Sequence, residues 1–461
     1  MKRSFFVLCL FILIFYYYKD ILSYYFISDD FFYLSFNSLK DTVKFYPGFY
    51  HYNPVFWLII FGLKKIFGLN PFPYHLIALL LHMVNSVLVC WVTQKLTRSF
   101  KTGMISALIF SLFFSQYEVV YWITGISTSI MVLFYLCGLI SLIYGLEKHK
   151  FLLVLFTIFF LLAYFSHEYA ISLLPVGFLS SWLIPGLKRN KRLALLILIV
   201  LTFFVMSFSL LRWVSADMSL FVHVPTMPRF FASFLKSNLY LFLPFPLLID
   251  QLPKALILFL SLLIDLILIY QLRRNGVRLF LFLWMLVTEV IFSFTSAVQA
   301  RYIYLSSIPS IIFLSSITLQ KQNEIFKILF YIYLLLILTS GMLFLSQQKN
   351  YWVISSNITK QVLFDIKTLY PALPKNNIYF VNLPDSSVDS IWKAYVFRNG
   401  MEDSLRLIYP NQVVKIHYLK TDTASGNTRD DPVISDDKLD QLRRNKEIVL
   451  IYQENLKTIT K

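Results

Sequence analysis

Asp29 and Asp30 stand side by side in Ile27-Ser28-Asp29-Asp30-Phe31-Phe32-Tyr33-Leu34, just after the first apolar run of the chain. Charges are scarce in this half of the sequence, and paired charges beside a membrane span are costly unless they have a task. Glu118, His167-Glu168 and Arg301-Tyr302 also fall where apolar runs end. A sheltered carboxylate can take a proton from a hydroxyl, and an arginine can hold a phosphate-like anion through two parallel N–H donors. These are parts for activating a hydroxyl while a departing anion is stabilised. Asp30 is the first choice as base and Asp29 the second. Arg301 is the first choice for the anion, with His167 and Arg212 behind it, and His51, Asn53, Glu118, Glu168 and Tyr302 complete the candidate set.

Other uses of the same residues stay open. Asp29-Asp30 could cap the helix that follows. Asp29, Asp30, Glu118 and Glu168 could hold a divalent metal, or the two glutamates could simply pair with nearby cations. Arg301 could be an interfacial anchor together with Tyr302 and Tyr304. His75 and His82, seven residues apart on one helical face, suit packing or hydrogen bonding better than a metal.

The elements that must position these groups are membrane spans. The chain has 461 residues, 57% hydrophobic and 15% charged, against roughly 25% charged in a soluble domain. Its mean hydropathy is +0.65. The net charge of +17 does not indicate nucleic acid, because much of the Lys and Arg sits in short clusters between apolar runs, as in cytoplasmic loops. Spans are expected over residues 4–22, 73–94, 102–116, 126–146, 151–165, 169–184, 193–211, 255–270, 279–297, 303–319 and 328–345. Lys2-Arg3, Lys95, Arg98, Lys101, Lys148, Lys150, Lys188 to Arg192, Arg273-Arg274, Arg278, Lys321 and Lys327 then lie inside. That puts Asp29, Asp30, Glu118, His167, Glu168 and Arg301 on the outer side. Residues 238–249, broken by Pro244 and Pro246, read as interfacial or re-entrant. The first span is an uncleaved signal anchor, since no small-x-small site follows it. Cys9, Cys90 and Cys137 have neither disulfide nor zinc spacing.

Residues 23–72 form the first external loop. Phe32, Phe36, Leu39, Val43 and Tyr46 have helical spacing, which predicts a surface helix over 32–46. A break follows at Pro47-Gly48, and a second helix is expected over 54–67. From residue 347 the composition becomes that of a soluble domain. An amphipathic helix is expected over 354–369, strands over 377–383, 413–419 and 448–452, and a polar loop over 421–437. The sequon Asn357-Ile358-Thr359 is a pattern that chance often supplies. The expected architecture is a polytopic α-helical membrane protein with about eleven spans, residues 1–346, carrying an external α/β domain, residues 347–461.

A resemblance runs through these segments. Asp29-Asp30, Tyr52-Asn53-Pro54, Phe67-Gly68-Leu69-Asn70-Pro71-Phe72-Pro73-Tyr74-His75-Leu76 and Leu81-His82-Met83-Val84-Asn85 are followed by three more. Those are Gln116-Tyr117-Glu118-Val119-Val120-Tyr121-Trp122-Ile123-Thr124-Gly125, Phe165-Ser166-His167-Glu168-Tyr169-Ala170 and Ala300-Arg301-Tyr302-Ile303-Tyr304-Leu305. In this order they resemble the GT-C superfamily, in particular bacterial relatives of protein O-mannosyltransferases. The resemblance covers residues 1 to about 310, and its specificity lies in the shared order rather than in any one motif. It implies a glycosyltransferase that uses a polyprenyl-phosphate sugar as donor on the external face, usually with inversion. The acceptor would be a protein, glycan or lipid hydroxyl, and the location a bacterial inner membrane with the N-terminus cytoplasmic. Two departures bear on the donor phosphate: Asn53 stands where relatives often have Arg, and His167 where they often have Lys. The tail lacks the helical repeats of the animal transmembrane-and-tetratricopeptide O-mannosyltransferases.

Two other functions compete. An O-antigen polymerase or ligase is expected to carry an Arg-rich main loop in its second half, whereas residues 212–254 hold only Arg212 and Arg229. A lipid-linked-glycan transporter is expected to show mid-span charges or an inverted repeat. Asp265 is the one mid-span carboxylate on this reading.

Overall fold

The computed structural model describes residues 2–46, 51–187, 189–215, 226–243, 245–272, 275–294, 298–318, 323–373, 377–388, 392–410, 412, 415–421, 431–445, 447–453 and 458–460. Outside them lie Pro47-Gly48, Lys188, Pro244, Arg273-Arg274, Lys321, residues 216–225, the ends of two expected spans at 295–297 and 319, residues 413 and 414, and most of the 421–437 loop.

The protein is a polytopic α-helical membrane protein. Within hydrocarbon every backbone polar group must be paired inside the protein, which long apolar helices achieve. Among the described residues eight helices are long and apolar enough to cross: Arg3–Ser23, Phe72–Thr97, Ile123–Glu147, Lys191–Arg212, Lys254–Gln271, Gly276–Ser293, Ala300–Ile317 and Glu324–Leu369. The expected span over 102–116 is a broken one, Phe100–Ser111 followed by Phe114–Tyr121 at 55°. Side chains take up carbonyls freed at the break. Gln116 Nε2 donates to the Phe110 carbonyl at 2.8 Å, and Tyr18 Oη donates to that of Ser111 at 3.1 Å. The fifth and sixth expected spans, 151–165 and 169–184, form the helices Leu152–Tyr164 and Leu173–Leu183, of 13 and 11 residues, shorter than the roughly 20 that crossing takes. The expected eleven spans thus resolve into eight or nine helices of crossing length and two short ones.

Of the segments assigned to one side, the N-terminus and the loops at 95–98 and 147 come together among the described residues. Arg3, Lys95, Arg98 and Glu147 line a single cavity, and Lys95 Nζ bonds Glu147 at 2.5 Å. Residues 238–249 are not one piece. They divide between the Met227–Phe242 helix and the short Pro246–Gln251 helix. Asn238 Nδ2 donates to Ser261 Oγ at 3.2 Å and to Asp265 Oδ1 at 2.8 Å. Asp265 is not the only mid-span carboxylate, because Glu289 lies fully buried inside Gly276–Ser293.

The surface helix expected over 32–46 does not form. A five-residue helix, Asp30–Leu34, is followed by a 3-10 turn, Leu39–Thr42. Ser38 and Asp41 make a capping box, which restarts the chain in a new direction. The aromatic residues of the expected stripe pack into a cluster instead: Phe36 stacks on Tyr46 at 5.7 Å, and both meet the edge of Trp57. The second helix forms as Pro54–Phe67, with proline at its first turn, where the missing N–H costs nothing.

The last span and the expected 354–369 helix are one helix, Glu324–Leu369, of 46 residues, so the boundary set at 346/347 falls inside it. Gly341 lets this helix pass the break in the third span, since a Cβ there would lie 2.2 Å from the Leu112 carbonyl oxygen. Beyond it are strands β1 Asn377–Val381, β2 Lys415–Leu419, β3 Ile448–Gln453 and β4 Thr458–Thr460, in the order β2-β1-β3-β4. β1 pairs parallel with β2 and β3, and β3 antiparallel with β4. Strand alternation divides the sheet's faces. Ile378, Phe380, Ile448 and Leu450 join a core that also holds Phe31, Tyr33, Leu34 and Trp57 of the first loop. Val381 and Val449 pack on Ile434 and Leu439. The C-terminal domain and the first loop therefore share one hydrophobic core.

Candidate active site

Asp30 is 1% exposed, and both its oxygens are engaged. Oδ2 accepts the Ile27 N–H at 3.0 Å, and Oδ1 accepts the Thr124 N–H at 3.0 Å and its hydroxyl at 2.9 Å. It ties the turn after the first span to the turn before Ile126–Glu147. Burial pushes the carboxyl from 3.8 up to about 7, against the pull of these donors and with a small push from Asp29. Asp29, one residue earlier, is half-buried and caps nothing with its side chain. Its Oδ1 accepts from Asn399 Nδ2 at 2.7 Å. The capping use considered for the pair is thus not what either side chain does.

The raised value for Asp30 sets a pH dependence. A carboxyl whose folded value exceeds its unfolded one stabilises most fully below the unfolded value, and loses that contribution as pH rises through the folded one. The advantage of wild type over Asp30→Asn in thermal unfolding is expected to shrink between pH about 4 and about 7, by up to about 1.4 kcal/mol per pH unit. A constant gap across that window, read from melting curves in nanodiscs, counts against the assignment.

Glu118 is buried and holds Arg301 twice. It accepts the Arg301 backbone N–H at 3.0 Å and pairs with Nη1 of its guanidinium. The guanidinium carbon also lies over the rings of Trp122, at 5.3 Å, and Tyr302, at 5.0 Å. Tyr302 stacks on Phe292 and meets the edge of Tyr169 at 5.2 Å, so it forms part of an aromatic wall.

The third group is His51, His167 and Glu168. His51 Nδ1 lies 2.5 Å from Glu168 Oε1, and His167 Nδ1 3.5 Å from Oε2. Burial alone would raise the Glu168 carboxyl, but the two imidazoles hold it well below the usual carboxylate range. Burial lowers His167 to about 4, which keeps it neutral at physiological pH. The Val55 N–H to Phe165 carbonyl bond, 3.1 Å, ties this turn to the first loop. Arg212 lies over the Tyr52 ring at 6.0 Å and within electrostatic range of Glu168. Asn53 is buried before the Pro54–Phe67 helix, and its Oδ1 has no hydrogen-bond partner among the described residues.

The four carboxylates weighed for a metal do not gather. Asp30 is held by Ile27 and Thr124, Glu118 by Arg301, Glu168 by His51, and Asp29 by Asn399. Among the described residues, His51, His167 and Glu168 do bring three possible ligand atoms within 4.8 Å of one another. Two imidazole nitrogens and a carboxylate suit zinc. His82 is hydrogen-bonded, through Nδ1 to Tyr304 Oη at 3.0 Å and through Nε2 to the Ser111 carbonyl at 3.0 Å.

The charges of Asp29, Asp30, Arg301 and Glu168 all act on the buried Tyr33 hydroxyl. Tyr33, Thr124, Tyr395 and Asn399 were not singled out from the sequence. Tyr33 stands in the stretch around the two aspartates and Thr124 in a later motif, and nothing in the spacing of a polar tail signals Asn399.

No family model and no curated protein matches the sequence. Among solved structures, the chain is similar to ArnT from Cupriavidus metallidurans. In the apo state the TM-score is 0.52 at 13% identity, over 99% of this chain and 94% of that one. For the same protein bound to undecaprenyl phosphate the TM-score is 0.51 at 12% identity, over 98% and 94%. The archaeal oligosaccharyltransferase AglB from Archaeoglobus fulgidus has a TM-score of 0.48 at 11% identity, over 82% and 62%. An alignment that takes in nearly all of both chains, spans and C-terminal domain together, is a likeness of whole architecture: the chain shares the fold of ArnT.

Proposed function

We propose that the protein is a glycosyltransferase that moves a sugar from a polyprenyl-phosphate donor to an acceptor hydroxyl on the extracytoplasmic face, with inversion. The observation that carries this reading is that contacts tie together the turns bearing Asp29, the Glu118–Arg301 pair and the His51–Glu168–His167 group: Asp30 to Thr124, Arg301 over Trp122, and Val55 to Phe165. A structural neighbour that binds undecaprenyl phosphate supports the donor class. Asp29 takes the proton as the acceptor oxygen attacks the anomeric carbon. The bond from that carbon to the phosphate oxygen breaks, and its electron pair leaves with the lipid phosphate. Phosphate leaves readily, so the larger need is a base and a cation rather than an acid. Arg301 gives Glu118 one guanidinium nitrogen and has further donors for the phosphate. Arg212 and neutral His167 are the other phosphate contacts. If a divalent ion takes part, His51, His167 and Glu168 are the residues to hold it, and it would add positive charge facing the phosphate. The protein is assigned to a bacterial inner membrane, N-terminus cytoplasmic and C-terminal domain extracytoplasmic.

The test uses full-length protein in nanodiscs with radiolabelled polyprenyl-phosphate sugars and a membrane extract as acceptor. Wild type is expected to take label from the donor and pass it to acceptor. No consumption of any donor tried would argue against the reading. Asp265→Asn is expected to keep turnover, because that carboxylate meets Asn238 in a helix–helix contact. Its loss there, with Asp29→Asn active, would favour the transporter.

A further inference from the structure

We propose that residues 395–403 of the C-terminal domain complete the active site, with Asn399 as a positioning residue that fixes the Asp29 carboxylate. This rests on the transferase reading above. Among the described residues, the Asn399 amide is the only side chain that hydrogen-bonds Asp29, at 2.7 Å to Oδ1. Asp29 is half-buried and makes no cap bond, so without Asn399 its carboxylate is free to turn. With one oxygen held, the other is left to receive the acceptor's proton.

The contact is built, not incidental. The Ser28 N–H donates to the Val396 carbonyl at 2.9 Å, and the Asn399 N–H reaches Ser28 Oγ at 3.4 Å. Ser28 and Gly400 both have positive φ, +47° and +84°. A Cβ on Gly400 would stand 2.0 Å from the Ser28 carbonyl oxygen. A serine at positive φ persists only where surrounding contacts impose it, whereas Gly400 takes that conformation freely. The same segment approaches the cation as well, since Tyr395 packs at 5.3 Å on Trp122, the ring that Arg301 lies over. One stretch of the outer domain therefore touches the base and packs on the ring beside the phosphate-facing arginine. Docking of that domain sets the catalytic geometry, and whatever seats the acceptor on the domain acts on the base through Asn399.

The charged groups that act on Asp29 are Asp30 beside it and Asp403 on the docked Met401–Ile408 helix, while Arg301 and Glu168 act with Asp29 on the Tyr33 hydroxyl. None of them replaces the Asn399 donor, and so the charge at position 399 is a clean probe. The experiment compares Asn399→Ala, Asn399→Asp, Gly400→Ala and Asp29→Asn in full-length protein in nanodiscs, by kcat, donor KM and pH–rate profile. Asn399→Ala is expected to lose about tenfold or more in kcat with donor KM little changed, as for removal of a hydrogen bond to a charged group. Asn399→Asp sets two carboxylates against each other, so the acid limb of its profile is expected to move up by about one pH unit or more. A merely structural role does not move that limb. Gly400→Ala, which pushes the segment off Ser28, should reproduce the Asn399→Ala loss. Wild-type kcat and profile in both Asn399 variants, with Asp29→Asn inactive, would overturn the positioning role and leave the transferase reading standing. Full activity in Asp29→Asn would remove the base assignment and this proposal with it.

Discussion

Replacing Asp29 by Asn is expected to cut sugar transfer by about 10²–10⁴-fold, the usual share of a general base, while folding stays intact. Asp30→Asn is expected to act first on stability. The two aspartates are neighbours, but their surroundings separate the roles. Each Asp30 oxygen already faces donors, the N–H of Ile27 on one side and the N–H and hydroxyl of Thr124 on the other. Three of its roughly four lone-pair sites are taken up inside the protein, and the carboxyl is buried. An Asn there would aim its amide hydrogens at one of those donors, at a cost of about 1–3 kcal/mol for unmatched buried groups. Asp29 has one oxygen on Asn399 and is partly open. An Asn at position 29 still fits but cannot take a proton. Single-turnover release of label, set beside a melting curve for each variant, separates the two. A dead Asp30→Asn with wild-type melting, next to an active Asp29→Asn, would invert the roles and restore the ordering expected from the sequence.

What the sequence made legible follows from where its information is stored. Apolar length is written in composition, so all eight helices of crossing length coincide with expected spans. Positive charge in loops carries side, and its clusters at Arg3, Lys95 and Arg98 do share one cavity. The helix Pro54–Phe67 and strands β1 to β3 were visible from proline position and apolar alternation. Failure came where tertiary contact overrides local pattern. The i, i+4 spacing of Phe32 and Phe36 is compatible with a surface stripe, yet the Ser38–Asp41 box breaks the helix and the rings turn inward onto Trp57. The bend after Ser111 was missed because its carbonyl is taken up by Tyr18 and His82, far away in sequence. Glu289 was overlooked inside a run of otherwise apolar residues. Asn399 lies 370 positions from Asp29, and nothing in the composition of either segment announces their meeting. Span ends show which groups can gather at a site, but only packing shows which atoms they hold.

The Glu118–Arg301 pair gives the other large effect, and it can report on the donor. Their side chains are only 5% and 16% exposed. Removing one partner of such a pair strands a charge where water does little to screen it, and typically costs about 3–5 kcal/mol. Glu118→Ala is therefore expected to lower the unfolding midpoint sharply. The double variant Glu118→Ala with Arg301→Ala should be less destabilised than the two single losses added together, because neither charge is then stranded. The stranded Arg301 also tests what it faces. If its free donors point at the donor phosphate, a polyprenyl phosphate added to Glu118→Ala supplies the missing anion. Binding to the folded state then raises the midpoint in proportion to affinity, and the rise should be larger in Glu118→Ala than in wild type. In Arg301→Ala it should be smaller than in either. A midpoint shift equal in all three proteins would take Arg301 out of the donor site and leave Arg212 and His167 to hold the phosphate. A shift confined to the proteins that keep Arg301 would tie the lipid phosphate to the end of the bundle where Asp29 stands, with the acceptor's proton and the departing charge handled within one site.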